Sequence, residues 1–69
     1  MTTRMKVIET ESNSAIRVTL AQVEKEGMEL FVVVETLVFA NIQLNSRGFV
    51  CREFARTAYT KQRQQLFAA

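Results

Sequence analysis

Sixty-nine residues with a formal net charge of +2 make one domain at most; a chain of that size buries only about 60% of the surface its unfolded form exposes. The sequence has no His, Asp, Pro or Trp and a single cysteine, Cys51, which excludes an internal disulfide, a Cys–His zinc site and any imidazole-based triad. With only Gly27 and Gly48, no glycine-rich phosphate loop can be built, and the expectation is a non-enzymatic chain without cofactor or metal.

Arg4 to Thr10 has weak strand character, and Ser12-Asn13-Ser14 follows with side chains that bond to nearby backbone and favour a turn. Between Ala15 and Val23, Ile16, Val18 and Leu20 alternate with Arg17, Thr19 and Ala21, the period-two pattern of a half-buried strand. Glu24-Lys25-Glu26-Gly27 interrupts it, and Gly27 supplies the positive φ that a tight hairpin turn needs. The chain is expected to reverse there.

Met28 to Val34 is rich in β-branched and aromatic residues, and apolar positions continue to Leu44. One strand of that length would be unusual. The pattern predicts a return strand of about seven residues, a bend or bulge near Glu35-Thr36 and a second extended piece to Leu44. A short helix over 36–43 is the alternative. In an unbroken register Leu30, Val32, Val34, Val38, Ile42 and Leu44 line one face, and Phe31, Val33, Leu37 and Phe39 line the other. A single helix covers only one face, so the second set needs its own cover. That cover is either a second copy in a two-fold homodimer or, if the register breaks at Glu35, the chain's own core.

Asn45-Ser46 offers N-cap oxygens, Glu53 lies early, Arg63 lies late and no proline interrupts 47–67, which predicts a helix over that stretch. Val50, Cys51, Phe54, Ala55 and Ala58 share the face expected to pack on the sheet, with Cys51 a small buried hydrophobe. Arg52, Arg56, Tyr59 and Arg63 recur at spacings of 4, 3 and 4 as a second stripe, with Arg47 at the helix entrance. The apolar tail Leu66-Phe67-Ala68-Ala69 either docks against a partner or frays. These elements predict one α+β domain over 1–69, a small antiparallel sheet packed by one C-terminal helix.

Charge is uneven along the chain. Residues 1–35 carry Arg4, Lys6, Arg17 and Lys25 against six glutamates, whereas 36–69 carry Arg47, Arg52, Arg56, Lys61 and Arg63 against Glu53 alone. The C-terminal half is the basic one, which bears on partners rather than on fold. Three readings of the arginine-tyrosine stripe stay open. It is an ordinary solvated face, a protein-binding surface anchored by Tyr and Arg, or a nucleic-acid surface that lays Arg47, Arg52, Arg56 and Arg63 along phosphates. Glu24, Glu26 and Glu29 at the hairpin tip either meet a basic partner or discourage edge-to-edge pairing of strands. The run Leu30 to Leu44 is broken by polar residues and shorter than the roughly 20 that span a bilayer. No apolar stretch of signal-peptide length follows Met1, so a cytoplasmic chain with a reduced Cys51 is expected.

In its length, its hairpin turning at Glu24-Lys25-Glu26-Gly27 and its segment Ser46-Arg47-Gly48-Phe49-Val50-Cys51-Arg52-Glu53-Phe54-Ala55-Arg56, the chain resembles the small anti-activator proteins of Pseudomonas phages that block quorum sensing. The resemblance covers nearly the whole chain. It implies a homodimer in the host cytoplasm that binds the DNA-binding domain of a LuxR-type quorum-sensing regulator, with the pilus-assembly ATPase as a second target. The surface argument, not the resemblance, selects the residues. They are Phe39, Arg47, Arg52, Arg56, Tyr59 and Arg63 for the partner, and Phe31, Val33 and Leu37 for the apolar dimer face.

Overall fold

The computed structural model describes residues 3–67. Four strands, β1 (Thr3–Ser12), β2 (Ile16–Lys25), β3 (Met28–Leu37) and β4 (Ile42–Phe49), form an antiparallel sheet in chain order, and helix α1 (Arg52–Phe67) closes one face. The fold is α+β, as the alternation of Ile16, Val18 and Leu20 and the late helix predict.

Each reversal has a local cause. Between β1 and β2, Asn13 Oδ1 accepts hydrogen bonds from the backbone N–H groups of Ala15 and Ile16 at 2.7 and 2.8 Å, which replaces a backbone turn by a side-chain one. Between β2 and β3 the turn is Glu26-Gly27, with φ of 53° and 79°. Two consecutive left-handed residues match the right-handed twist of the flanking strands, the geometry of a type I′ hairpin. Between β3 and β4 the chain turns over 38–41, where the Val38 N–H donates to the Ala15 carbonyl and Asn41 takes φ of 52°.

The region 36–44 differs from both sequence expectations. It is neither a short helix nor an extended piece that continues to Leu44 after a bend at Glu35-Thr36, because β3 runs through Leu37 and the chain then turns into β4 at Ile42. The expected irregularity near Glu35-Thr36 is present, yet it lies on the opposite strand. Glu35 pairs with Asn45 and Thr36 with Gln43, leaving Leu44 as the extra residue of a bulge. A second bulge places Ile8 between the pairs Val7–Ala21 and Glu9–Leu20.

The helix begins later than its polar signals suggest. Asn45 and Ser46 are strand residues of β4, not caps, and the first helical bond runs from the Ala55 N–H to the Cys51 carbonyl. Arg47 is accordingly a strand residue opposite Val33. The apolar middle of β3, Leu30 to Val34, is an inner strand that needs hydrogen-bonding partners on both sides, and pairing with 42–49 supplies the second, which outweighs the capping preference of Asn45-Ser46.

The core lies between α1 and the face of the sheet formed by Val18, Leu20, Phe31 and Val33, closed from above by Ala55 and Tyr59. Burying each of the four sheet side chains contributes about 1.5–3 kcal/mol. Ile8, Ile16, Phe49, Ala58 and Leu66 pack around this cluster. The helix stripe that touches the sheet is therefore Ala55, Ala58, Tyr59 and Leu66. Val50 and Phe54, expected inside, are 79% and 68% exposed, and Cys51 is half-buried. Of the apolar tail, Leu66 packs on the core; Ala68, Ala69 and the side chain of Phe67 lie outside the described residues.

Phe31 and Val33 are also displaced from their expected role. They are buried beneath α1 and Leu37 is half-buried on the same face, so the helix covers the set assigned to a dimer contact. The uncovered face carries Leu30, Val32 and Val34 instead, with Ala21 and Val23 beside them. The molecule measures 40 × 26 × 16 Å, and its shortest dimension holds one sheet and one helix only.

Candidate functional site

Where β4 ends and α1 begins, two arginines come together over neighbouring aromatic rings. Phe49 faces Phe31 across the β3–β4 pair and packs against the core, which fixes its ring. Arg47, two residues earlier on the same face of β4, holds its guanidinium 5.4 Å from the centre of the Phe49 ring. Arg52, the first residue of α1, holds its guanidinium 5.9 Å from the centre of the Phe31 ring. Rings immobilised in a core in this way limit the rotamers open to the two cations, so less entropy is lost when they meet a carboxylate. Neither arginine is ion-paired among the described residues.

Val50 and Phe54, in the same stretch of chain, stand exposed to solvent. A half-turn of polypeptide with no strand partner connects β4 to α1, and it leaves Val50 outside both hydrophobic faces. Phe54 immediately precedes the fully buried Ala55, and the 100° step per residue turns it out to the flank of α1. Of these four side chains, the two arginines are of a type enriched at protein-binding hot spots.

The other arginines of the predicted stripe are engaged within the chain. Arg56 Nη1 donates to Glu9 Oε1 at 3.1 Å, and Arg63 Nη1 lies 3.6 Å from Glu11 Oε1, so both tie α1 to β1. On the other flank Gln62 Nε2 donates to Glu35 Oε1 of β3 at 2.7 Å. The helix is thus seated over β2 between carboxylates on the two neighbouring strands.

Tyr59 does not belong to the exposed stripe. It is 1% exposed and lies in the core, with the Arg63 guanidinium 6.0 Å from its ring centre. Its hydroxyl is buried without a hydrogen-bond partner among the described residues. Burial pushes the phenol above its ordinary pKa, Glu9 and Glu11 push it further, and Arg63 and Arg56 oppose the rise. The arginines around Tyr59 reach solvent and its ring does not.

Phe39 is 77% exposed, but in the turn at the opposite end of the sheet. Six residues of β3 separate Phe31 from that turn, about 20 Å at 3.4 Å per residue. Of the six residues predicted for the partner, the fold brings Arg47 and Arg52 into one patch, commits Arg56 and Arg63 to intramolecular pairs, buries Tyr59 and isolates Phe39. Val50 and Phe54 escaped sequence reasoning because a helix drawn from residue 47 turns both inward. The signal that identifies them is the late helix start, which no cap residue marks.

Among the described residues no group of three or more Cys or Glu side chains is placed to hold a metal ion. No helix among the described residues is long and apolar enough to cross a membrane. Comparison with models of protein families, with curated proteins and with solved structures finds no match.

Proposed function

We propose that the chain is a non-enzymatic protein-binding inhibitor that occludes the working surface of its target. The observation that carries this reading is the exposure of Val50 and Phe54 in the short stretch that also holds Arg47 and Arg52, whose guanidiniums lie over the Phe49 and Phe31 rings. Exposed apolar anchors next to pre-positioned cations suit a protein surface that offers a hydrophobic pocket rimmed by carboxylates. The anti-activator resemblance supplies a specific target for this surface, the DNA-binding domain of a LuxR-type regulator in the cytoplasm of a bacterial host, with the pilus-assembly ATPase as a second.

Self-association belongs to the same proposal, and its surface is the edge strand β4. The β1 edge is guarded by Arg4, Lys6, Glu9 and Glu11 and by the bulge at Ile8, whereas β4 carries Arg47 as its only charge. Two copies joined antiparallel along β4 form one continuous sheet with both helices on the same side.

The nucleic-acid alternative asks Arg47, Arg52, Arg56 and Arg63 to bind phosphates together. Arg56 and Arg63 already face Glu9 and Glu11, whose carboxylates repel a phosphate backbone, and this favours the protein reading.

The test is direct binding of the purified chain to an isolated LuxR-type DNA-binding domain, followed by competition against its promoter DNA. The expected result is a complex that excludes DNA and that Val50→Asp with Phe54→Asp abolishes. No binding by the wild-type chain removes this target, and binding undiminished in the double variant removes the surface.

A further inference from the structure

The hydrogen-bonding phase of the sheet fixes which backbone groups β4 leaves free. Beside the type I′ turn at Glu26-Gly27 the flanking residues Lys25 and Met28 exchange both of their hydrogen bonds, so the even residues of β3 bond to β2 and the odd ones to β4. The N–H of Val38, the next even residue, donates to the Ala15 carbonyl just before β2, in agreement with that phase. Phe31, Val33 and Glu35 therefore hold the backbone of Phe49, Arg47 and Asn45, and the N–H and C=O groups of Ser46 and Gly48 point out to the edge. The bulge at Leu44 breaks the alternation below Asn45, and the strand ends at Phe49. The regular free edge is the stretch 45–49, with outward groups at Ser46 and Gly48.

A second copy paired along this edge uses all of those groups in one register only. Ser46 of each copy exchanges both bonds with Gly48 of the other, and Arg47 stands directly opposite Arg47 on the two-fold axis. Placing Ser46 opposite Ser46 calls on Leu44 in the bulge, and placing Gly48 opposite Gly48 calls on Val50, which lies beyond the strand. In the register that satisfies the edge, both guanidiniums lie on the helix side, each 5.4 Å from the centre of its own Phe49 ring. No carboxylate of β4 separates them. Across Arg47 on β3 lies Val33, and Glu35, across from Asn45, accepts from Gln62. Like charges directly opposite in an antiparallel pair are destabilising, and nothing on the strand offsets this pair.

We infer that the β4 dimer carries an oxyanion site on its two-fold axis, formed by Arg47 of both copies, and that it takes a free tetrahedral dianion of the inorganic phosphate or sulfate type. Two guanidinium forks that each bond two oxygens use all four oxygens of such an ion, whereas a phosphate monoester leaves only three. The ion neutralises the opposed cations. By linkage it tightens self-association, since the dimer offers it two forks and the monomer one. This inference rests on the proposed pairing along β4. Arg47 also belongs to the patch at the β4–α1 junction, so the ion and a carboxylate of the target are alternatives there.

Sedimentation equilibrium of the full chain in sodium phosphate and in sodium chloride of equal ionic strength tests it, because screening is then the same in both. The dimer dissociation constant should be about fivefold lower in phosphate and in sulfate than in chloride, with a smaller effect of glycerol phosphate. Arg47→Gln should dimerise equally in all four salts. Arg47→Glu should pair with the wild type in chloride more tightly than either pairs with itself, because opposite charges then face each other. Arg47 is exposed, and amide dispersion checks the folding of both variants. Hydrogen exchange reads the register: association should protect the Ser46 and Gly48 N–H groups, whereas the Arg47 N–H, already bonded to β3, is protected in both states. Equal dissociation constants in phosphate and chloride, an equal effect of glycerol phosphate, no preference for the mixed pair, or a dimer without protection at Ser46 and Gly48 would each overturn the site while leaving self-association standing. If neither the wild type nor Arg47→Gln associates up to its solubility limit, the pairing along β4 itself falls, and the site with it.

Discussion

Arg56 and Glu9 are 47 positions apart in the chain, yet Nη1 of the first donates to Oε1 of the second at 3.1 Å, and this contact ties the flank of α1 to the edge strand β1. Both side chains are about half exposed, at 50% and 41%. Water screens such a pair, and holding two flexible side chains in one geometry costs entropy, so the coupling is worth less than about 1 kcal/mol. A double-mutant cycle with Arg56→Ala and Glu9→Ala, measured by urea denaturation, should return a coupling of that size that shrinks as salt is raised. A coupling above about 3 kcal/mol, the range of a desolvated pair, would show that α1 and β1 exclude water far better than the exposure implies.

Tyr59 separates the value of a ring from that of a hydroxyl. The ring fills the space between α1 and the sheet, while the buried hydroxyl has no hydrogen-bond partner. Removing an unpaired buried oxygen relieves a desolvation cost, so Tyr59→Phe should leave stability unchanged or raise it by about 1 kcal/mol. Tyr59→Ala opens a cavity in a small core and should cost about 3–5 kcal/mol. Loss of stability in the Phe variant would show that the hydroxyl is satisfied in solution.

The same phenol gives the fold a pH dependence at the alkaline end. Its pKa is raised in the folded chain, first by burial and then by Glu9 and Glu11, above the ordinary phenol value. The folded state then holds the proton more tightly than the unfolded state. The stabilisation is fully present below pH 10 and is lost as pH rises through the folded value. Phenolate absorbance followed against pH should appear later in the folded protein than in urea, and Tyr59→Phe should flatten the alkaline fall in stability. Coincident titration curves in the two states would contradict this burial.

These contrasts show which parts of the structure the sequence reveals. Asn13 and Gly27 act on their own neighbours, one by accepting from the two following N–H groups and the other by a positive φ, so both reversals are legible from a few residues. The alternation of Ile16, Val18 and Leu20 is legible for the same reason. The path of 42–49 is not, because Asn45-Ser46 looks like a helix cap and becomes strand only when β3 offers a partner. A separate misplacement lies within α1: Phe54 and Tyr59 are about 140° apart at 100° per residue, so taking Phe54 as inward turns Tyr59 outward, and only packing on the sheet shows that Tyr59 is the inner one. The arginine stripe was visible in the spacing, but its partners Glu9 and Glu11 lie on a strand more than 40 residues away, and no local pattern announces them.

Glu26 is a local misfit with a measurable cost. It holds φ of 53° in the two-residue turn before Gly27, a region where a side chain with a Cβ is disfavoured and Asn is best tolerated. Glu26→Asn should therefore stabilise the fold by a few tenths to about 1 kcal/mol, and Gly27→Ala should destabilise it by about 1 kcal/mol. Thermal denaturation of the two variants checks both signs. A destabilising Glu26→Asn would mean that the glutamate makes a compensating contact at the hairpin tip.

The proposed binding patch makes opposite demands on stability and function, and this distinguishes it from a core. Val50 and Phe54 are mostly in water, so replacing each by Asp removes little buried apolar area and should change folding stability by less than about 0.5 kcal/mol per site. Val33 is apolar and of similar size to Val50 but 5% exposed beneath α1. Val33→Asp puts an unpaired carboxylate among Leu20, Phe31 and Tyr59 and should unfold the chain. Equal urea midpoints for the wild type and the Val50→Asp/Phe54→Asp variant, set against a collapsed transition for Val33→Asp, would show that the two exposed side chains are not retained for folding. A large stability loss in the exposed pair would instead place them in an interface that the free chain already forms with itself, and a midpoint that rises with protein concentration would identify that case.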